Sequence, residues 1–219
     1  MPNVMRLPPP SASGARAFAA AGLAVAGLFA ATGAQAYLVS ITPGARAIYL
    51  QVGTGTFSGT YTGGGTPGNN TTVNTVTATV PANAIGTGPQ TMATNSTTTN
   101  SPYDNYAFCT PSSGQVYVGG FYRSNNSSQN ATLTVTAPAY LVNATSDTIP
   151  ISTISWVSSG TGDTSATIPS GTFNGSRQLL LSVARNNWFE SCLTFTYSNA
   201  QLAPAGTFTG RAVYELVAP

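Results

Sequence analysis

The sequence predicts an all-β protein in which two sheets pack face to face as a sandwich. Beyond residue 36, no segment shows the 3.6-residue hydrophobic period of an amphipathic helix. Short runs rich in Thr, Val, Ile and Tyr recur instead, separated by clusters of Gly, Pro and Asn, which is the pattern of strands and turns. Nine such runs fall in one domain. A single sheet of that size would leave one apolar face in solvent, so we expect two sheets.

The predicted strands cover residues 37–41, 46–52, 72–80, 115–122, 130–137, 151–157, 177–184, 192–197 and 207–217. The alternation is clearest in 130–137. Its predicted core face carries Ala131, Leu133, Val135 and Ala137, and its predicted solvent face carries Thr132, Thr134 and Thr136. The Thr-, Gly- and Asn-rich stretches 58–72 and 94–106 are predicted to be loops, and neither is Pro-rich enough to be a domain linker.

The first 36 residues are typical of a cleaved secretory signal. Arg6 and Arg16 provide a basic start, and the apolar run 17–33 is rich in Ala and Gly and short for a membrane span. The small residues of Ala34-Gln35-Ala36 then predict cleavage before Tyr37. A signal anchor is the alternative. We therefore expect an exported chain with a single β-sandwich domain at 37–219.

The charges of that predicted mature chain balance. Its five basic residues are Arg46, Arg123, Arg177, Arg185 and Arg211, and its five acidic residues are Asp104, Asp147, Asp163, Glu190 and Glu215. A neutral surface offers no electrostatic attraction to nucleic acid or to anionic lipid. It also lacks the repulsion that keeps soluble proteins apart, so association with copies of itself is favoured.

The two cysteines, Cys109 and Cys192, predict a structural disulfide. An even number of cysteines in an exported chain is typical of disulfide pairing. Closing a loop of roughly 80 residues would stabilise the fold by about 4.5 kcal/mol in the chain-entropy description. A redox or metal-binding pair would need a CxxC spacing or a histidine partner, and the sequence has neither.

A five-residue phrase, Gly-Thr-Phe-x-Gly, occurs three times, at 55–59, 171–175 and 206–210. In the last two copies a proline lies two residues before the first glycine. We expect a turn in which Gly171 and Gly206 adopt positive φ, followed by a strand with Phe facing inward. The closing glycines, Gly175 and Gly210, predict a bulge or a close backbone approach.

The sequence is poor in catalytic groups, so we expect no enzyme. It contains no His and no Lys, which removes imidazole bases, Schiff-base amines and nucleophile–His pairs. A carboxylate pair for glycoside hydrolysis would have to come from Asp104, Asp147 and Asp163. Such loop aspartates more often start turns, and they lack the spacing of a calcium loop. We expect no cofactor and no metal.

A carbohydrate-binding surface is the main alternative function. Tyr103, Tyr106 and Trp188 are aromatic residues close in sequence to the two cysteines, and a disulfide would bring their segments together. Aromatic rings flanked by amides and acids suit glycan contact. The competing interpretation is that Trp188 packs beside the disulfide as core, because Trp is highly buried on average.

The chain ends on a strand whose core face would carry Ala212, Tyr214 and Leu216. With its neutral Thr-, Gly- and Asn-rich composition, predicted export, single disulfide and "PAGTFTGRAVYELV" ending, the sequence resembles bacterial fimbrial subunits of the chaperone–usher type. The resemblance implies an incomplete immunoglobulin-like sandwich whose C-terminal strand borders an open groove. An N-terminal extension of the next subunit fills that groove by strand addition, and the open-ended contact produces a fibre.

Residues 37–44 would be the donor, with Tyr37, Val39 and Ile41 on one face before Pro43-Gly44 ends the run. The alternative is that this segment is an ordinary first strand of a complete sandwich. The resemblance also implies the partners, which are copies of the chain or related subunits, a periplasmic chaperone and an outer-membrane usher. A host glycan is a further possible partner. The expected route is through the periplasm to the cell surface.

Overall fold

The structure is a computed structural model of the 219-residue chain. It describes residues 41–55, 57–60, 64–67, 73–126, 128–160 and 168–219, with the backbone alone at 57–60 and 64–67. The predicted secretory signal at 1–36, the donor residues Tyr37 and Val39, and Asp163 lie outside the described residues.

The described residues form strands and three short 3₁₀ helices, with no α-helix among them. In chain order the strands are β1 (Ala47–Val52), β2 (Phe57–Thr60), β3 (Gly64–Pro67), β4 (Val76–Thr77), β5 (Gln90–Thr91), β6 (Ala93–Thr94), β7 (Gln115–Arg123), β8 (Ala131–Thr136), β9 (Tyr140–Val142), β10 (Thr148–Pro150), β11 (Ile154–Ser159), β12 (Gly171–Thr172), β13 (Arg177–Val183), β14 (Asn187–Tyr197) and β15 (Val213–Val217). The 3₁₀ helices are Ala82–Ala84, Pro111–Ser113 and Ile151–Thr153. The all-β prediction is confirmed.

Two sheets account for most of the strands, and all of their pairings are antiparallel. The large sheet has the order β1-β7-β14-β11-β12, and β5 pairs with the C-terminal end of β14. The small sheet has the order β13-β8-β15. Three two-stranded pairs, β2-β3, β4-β6 and β9-β10, complete the described set.

The main hydrophobic core draws side chains from both sheets. Val118 of β7, Leu193 of β14 and Trp156 of β11 come from the large sheet, while Leu133 of β8 and Leu216 of β15 come from the small one. All five are buried in one cluster. Because a one-sided sheet must cover its apolar face, this shared core makes the fold sandwich-like.

A second buried cluster covers the opposite face of the large sheet. We call it the aromatic cluster, and it contains Ile41, Tyr49, Phe108, Cys109, Tyr117, Phe121, Trp188 and Cys192. Strand β7 is consequently buried from Val116 to Arg123 on both of its faces. A strand with two covered faces does not show the hydrophobic alternation of a half-buried strand.

Five predicted strands have close counterparts in β1, β7, β8, β11 and β13. The prediction of a strand at 72–80 is wrong in its extent, because only Val76 and Thr77 pair, with the equally short β6. The prediction of a loop at 58–72 is also wrong in part, since β2 and β3 form a hairpin there. The final strand begins at Val213 rather than 207, and Thr209 instead makes an isolated bridge to Val142.

The solvent face predicted for β8 is only partly correct. Ala131, Leu133, Val135 and Ala137 are buried, as predicted, and Thr136 is exposed. Thr134, however, is only 5% exposed. Its cross-strand neighbours are Leu179 of β13 and Glu215 of β15, and these longer side chains flank it on the outer surface.

The prediction for the first glycine of the repeated Gly-Thr-Phe-x-Gly phrase, which was a positive φ, is correct for one copy and wrong for another. Gly171 does not have positive φ, although Gly206 does. A Cβ at Gly171 would lie 2.7 Å from Cζ2 of Trp156, so the glycine is required by a close approach between β11 and β12. Phe173 is buried, as predicted, and Gly175 has a φ of 75° in the turn before β13.

Candidate functional site

Strand β15 is an edge strand of the small sheet. Within the described part of the chain it pairs with β8 and with no strand on its other side. Its side chains alternate as the sequence predicts. Leu216 is buried, Ala212 and Tyr214 are half-buried against the main core, and Val213 and Val217 are exposed. Burial of the Tyr214 phenol raises its pKa above the ordinary value of 10.0.

A shallow open cleft lies beside the C-terminal half of β15. It has a volume of about 450 Å³ and is lined by Arg46, Ala47, Ile48, Leu216, Val217 and Ala218. The start of β1, which is the edge strand of the large sheet, therefore faces the end of β15. Nη2 of Arg46 donates a hydrogen bond of 3.1 Å to the Ala218 carbonyl across this cleft.

The outer face beside β15 carries few charges. Arg177 of β13 and Glu215 of β15 form an ion pair with an N–O distance of 3.3 Å. Both side chains are more than half exposed, so the pair contributes little to stability. Leu179, Val213 and Val217 are exposed on the same sheet. This edge lacks the lysine and proline residues that often protect edge strands.

The segment that leads into β1 is packed on its own domain. Ile41 is 2% exposed and belongs to the aromatic cluster. Its backbone N–H donates to the Asn186 carbonyl at 2.7 Å. Farther along, Nε of Arg123 donates to the Ala45 carbonyl at 3.1 Å. Of the three donor residues predicted from the sequence, Ile41 is thus the one that the structure describes.

The disulfide between Cys109 and Cys192 is present, which confirms the prediction, and its two Cα atoms are 5.6 Å apart. Both cysteines are buried in the aromatic cluster. The disulfide joins β14 of the large sheet to the segment 100–109, and this segment covers the aromatic cluster. The two aromatic stretches flanking the cysteines are therefore brought together, as the sequence analysis expected.

Trp188 lies inside this covered region. Its ring stacks on Tyr49 with a centroid distance of 5.8 Å, and Tyr103 lies against it at 5.6 Å from the segment 100–109. Phe121 is a third neighbour at 6.0 Å. Trp188 is 6% exposed, so it packs as core.

The residues predicted for glycan contact therefore differ in exposure. Trp188 is buried, Tyr103 is half-buried, and Tyr106 is 76% exposed. Asp104 accepts a hydrogen bond from the Tyr106 backbone N–H at 3.0 Å, which is the turn-forming role expected of this aspartate. Of the three aromatic residues, Tyr106 has the ring that is most accessible to a ligand.

Glu190 is a carboxylate whose burial was not predicted from the sequence. Its Oε2 accepts hydrogen bonds from Ser101 Oγ at 2.8 Å and from the Tyr117 hydroxyl at 2.9 Å. Two hydroxyl donors therefore satisfy one oxygen of this buried carboxylate. A Cβ at Gly119 would lie 2.2 Å from the Tyr117 hydroxyl, so this glycine leaves space for the interaction.

The other acids make local contacts. Asp147 accepts hydrogen bonds from Thr145 Oγ1 at 2.6 Å and from Asn143 Nδ2 at 2.9 Å, and these lower its pKa. In the described residues, no group of three His, Cys, Asp or Glu side chains lies close enough to hold a metal ion. The described helices include none that is long and apolar enough to cross a membrane.

The features that remain as a candidate functional site are the outer edge of β15, the adjacent cleft and the segment 41–46, whose Arg46 lines that cleft. No protein-family model, no curated protein and no solved structure matches this chain.

Proposed function

We propose that the chain is a non-catalytic structural or adhesive subunit of a bacterial surface fibre, and that its copies associate by strand addition at β15. The observation that carries this proposal is the outer edge of β15, which has no partner strand among the described residues. An edge strand presents a row of backbone N–H and C=O groups that a strand from another chain can satisfy.

The character of the edge supports strand addition. The sequence of β15, Val-Tyr-Glu-Leu-Val, is rich in residues that favour strands, and Glu215 is its single charge. The balanced charge of the predicted mature chain reduces repulsion between copies. The cleft beside Leu216 to Ala218 provides room for side chains of an added strand.

The resemblance to chaperone–usher fimbrial subunits supplies the finer details of the proposal. In these terms, residues 1–36 are a secretory signal, the fold is an immunoglobulin-like sandwich, and residues 37–44 of one copy are the strand added to the next. The proposed partners are other copies, a periplasmic chaperone and an outer-membrane usher, and the site of action is the cell surface.

The experiment places a lysine on the proposed contact edge. The full 219-residue chain is expressed in a bacterium and recovered from the periplasm or medium, and its assembly is followed by light scattering and electron microscopy. Val213→Lys and Val217→Lys change exposed side chains of β15, so the fold should tolerate them. The charge should hinder addition of a strand, and we expect both variants to remain monomeric.

Val157→Lys is the matched control, because Val157 is also an exposed valine but lies on β11 of the large sheet. It should assemble as the unmodified chain does. If the unmodified chain gives no fibres, or if the β15 variants assemble as well as the control, strand addition at β15 is wrong.

A glycan-binding module is the second candidate, and the exposure of Tyr106 beside Asp104 favours it. Tyr106→Ala should abolish glycan binding without affecting thermal unfolding if this candidate is correct. A glycan array probed with the unmodified chain and with this variant tests the idea. Equal signals from both proteins would exclude Tyr106 as a contact residue.

A further inference from the structure

We propose that residues 41–46, which we call the strap, tie the predicted donor strand, residues 37–44, to its own domain. A copy then donates this strand to the next copy only after the strap is released. This inference rests on the proposed function, because it concerns how assembly through the leading segment is controlled. It adds an autoinhibitory contact that strand addition alone does not require.

The first contact that holds the strap on the domain is made by Ile41. Its side chain is buried in the aromatic cluster with Tyr49, Phe121 and Trp188, and its N–H donates to the Asn186 carbonyl at 2.7 Å. Asn186 immediately precedes β14, so the backbone of the strap is fixed to the large sheet.

The second and third contacts that hold the strap are hydrogen bonds from two arginines. Arg123, at the end of β7, donates from Nε to the Ala45 carbonyl at 3.1 Å, and Gly44 lies against its guanidinium. A Cβ at Gly44 would lie 3.1 Å from Cζ of Arg123. Arg46 donates from Nη2 to the Ala218 carbonyl at 3.1 Å, which connects the strap to the residue after β15.

The closed strap and donation of the strand to a second copy exclude each other, because both need the side chain of Ile41. Ile41 is the third inward-facing residue of the proposed donor strand, and it cannot fill a groove in a second copy while it is buried in its own domain. The apparent affinity of one copy for the next is therefore reduced by the fraction of time that the strap is closed.

The strap is built so that it can open without loss of the sandwich. Ile41 is its single buried residue, while Thr42, Pro43, Ala45 and Arg46 are exposed. The remaining part of the aromatic cluster is still covered by the segment 100–109, which the disulfide fixes in place.

The test combines a rate with a local optical signal. The chain has two tryptophans, Trp156 in the main core and Trp188 in the aromatic cluster, and both are buried. If assembly removes Ile41 from the cluster, acrylamide should quench more of the tryptophan emission in fibres than in monomers, because Trp188 then loses one of the side chains packed in its cluster.

Arg46→Ala weakens the strap without changing the predicted donor residues Tyr37, Val39 and Ile41. We expect it to speed assembly about threefold or more, since one hydrogen bond from a charged group no longer favours the closed state. It should also raise quenching of Trp188 in the monomer. Arg185→Ala is the matched control, because Arg185 is an exposed arginine that donates to the Asn125 carbonyl at 3.2 Å outside the strap.

The outcomes separate the two ideas. Fibres with unchanged tryptophan quenching, or equal assembly rates for Arg46→Ala and Arg185→Ala, would overturn the strap and leave strand addition at β15 in place. Absence of any assembly in all three proteins would overturn the proposed function and the strap with it.

Discussion

Ser101 Oγ donates a hydrogen bond of 2.8 Å to Oε2 of Glu190, and this contact joins the segment 100–109 to β14 of the large sheet. Two residues farther along the same face of β14, Cys192 forms the disulfide with Cys109. Two residues before Glu190, Trp188 is covered by Tyr103. The segment is thus fixed by a covalent bond, a hydrogen bond and an aromatic contact in one row. It forms a third layer over a sheet that already faces the main core.

The disulfide should stabilise the whole domain. Replacing both cysteines, as Cys109→Ser with Cys192→Ser, should lower the free energy of unfolding by about 2–5 kcal/mol, because the unfolded chain regains the freedom of a long loop. Urea unfolding followed by circular dichroism measures the change. Reduction of the unmodified chain should give a similar loss, and an unchanged urea midpoint in both cases would contradict this prediction.

The buried Glu190 should contribute more to the free energy of unfolding than the exposed Glu215. Glu190→Gln replaces the carboxylate oxygen that accepts from Ser101 and Tyr117 with a weaker amide acceptor and puts an NH2 group in place of the other oxygen, so we expect a loss of about 1–3 kcal/mol in the free energy of unfolding. Glu215→Gln is the control, because Glu215 is 58% exposed in its ion pair with Arg177. Its effect should stay within about 0.5 kcal/mol. Equal effects of the two substitutions would refute the structural role of Glu190.

The sequence predicts the half-buried strand β8 well, and of the two strands that are covered on both faces it predicts β7 but only part of β14. In β8 the alternation of Leu133 and Thr132 identifies the core face, because one face is covered and the other is wetter. The start of β14, Asn187 to Glu190, has no such alternation, because the aromatic cluster covers one of its faces and the main core the other. The sequence analysis placed this strand at 192–197 and missed its first half.

One signal in the sequence could have identified Glu190 as a buried residue. Trp188, Glu190 and Cys192 are spaced two residues apart, so on one strand they share a face. A disulfide at Cys192 brings the segment that contains Cys109 to that face, close to Glu190. The burial of Trp188 was one of the two interpretations of the sequence, whereas the exposure of Tyr106 could not be predicted, because it depends on how that covering segment turns at Asp104.

Gly171 should not tolerate a side chain. The Cβ of Gly171→Ala would lie 2.7 Å from Cζ2 of Trp156, and the indole is fixed by its hydrogen bond of 2.9 Å to the Pro169 carbonyl. We expect a loss of about 1–3 kcal/mol in the free energy of unfolding from this overpacking. Thr172→Ala, at the exposed neighbouring position, is the control and should have a small effect. Thermal unfolding that gives the same midpoint for both variants would show that β12 moves to accept the methyl group.

Tyr214 should make the fold sensitive to alkaline pH. Burial raises the pKa of its phenol in the folded state above the ordinary value of 10.0, whereas in the unfolded chain the phenol keeps that ordinary value. Below pH 10 the phenol is protonated in both states, and its contribution to stability is fully present. As the pH rises above 10, the unfolded state loses this proton first, so unfolding is favoured and the contribution is lost. Urea midpoints measured between about pH 8 and 11.5 should therefore fall less steeply for Tyr214→Phe than for the unmodified chain, while Tyr106→Phe, at an exposed ring, should follow the unmodified chain. If the curves of urea midpoint against pH are parallel for all three proteins, the Tyr214 phenol reaches solvent. This part of the small sheet would then be more open than the packing of Leu216 and Tyr214 against the main core indicates.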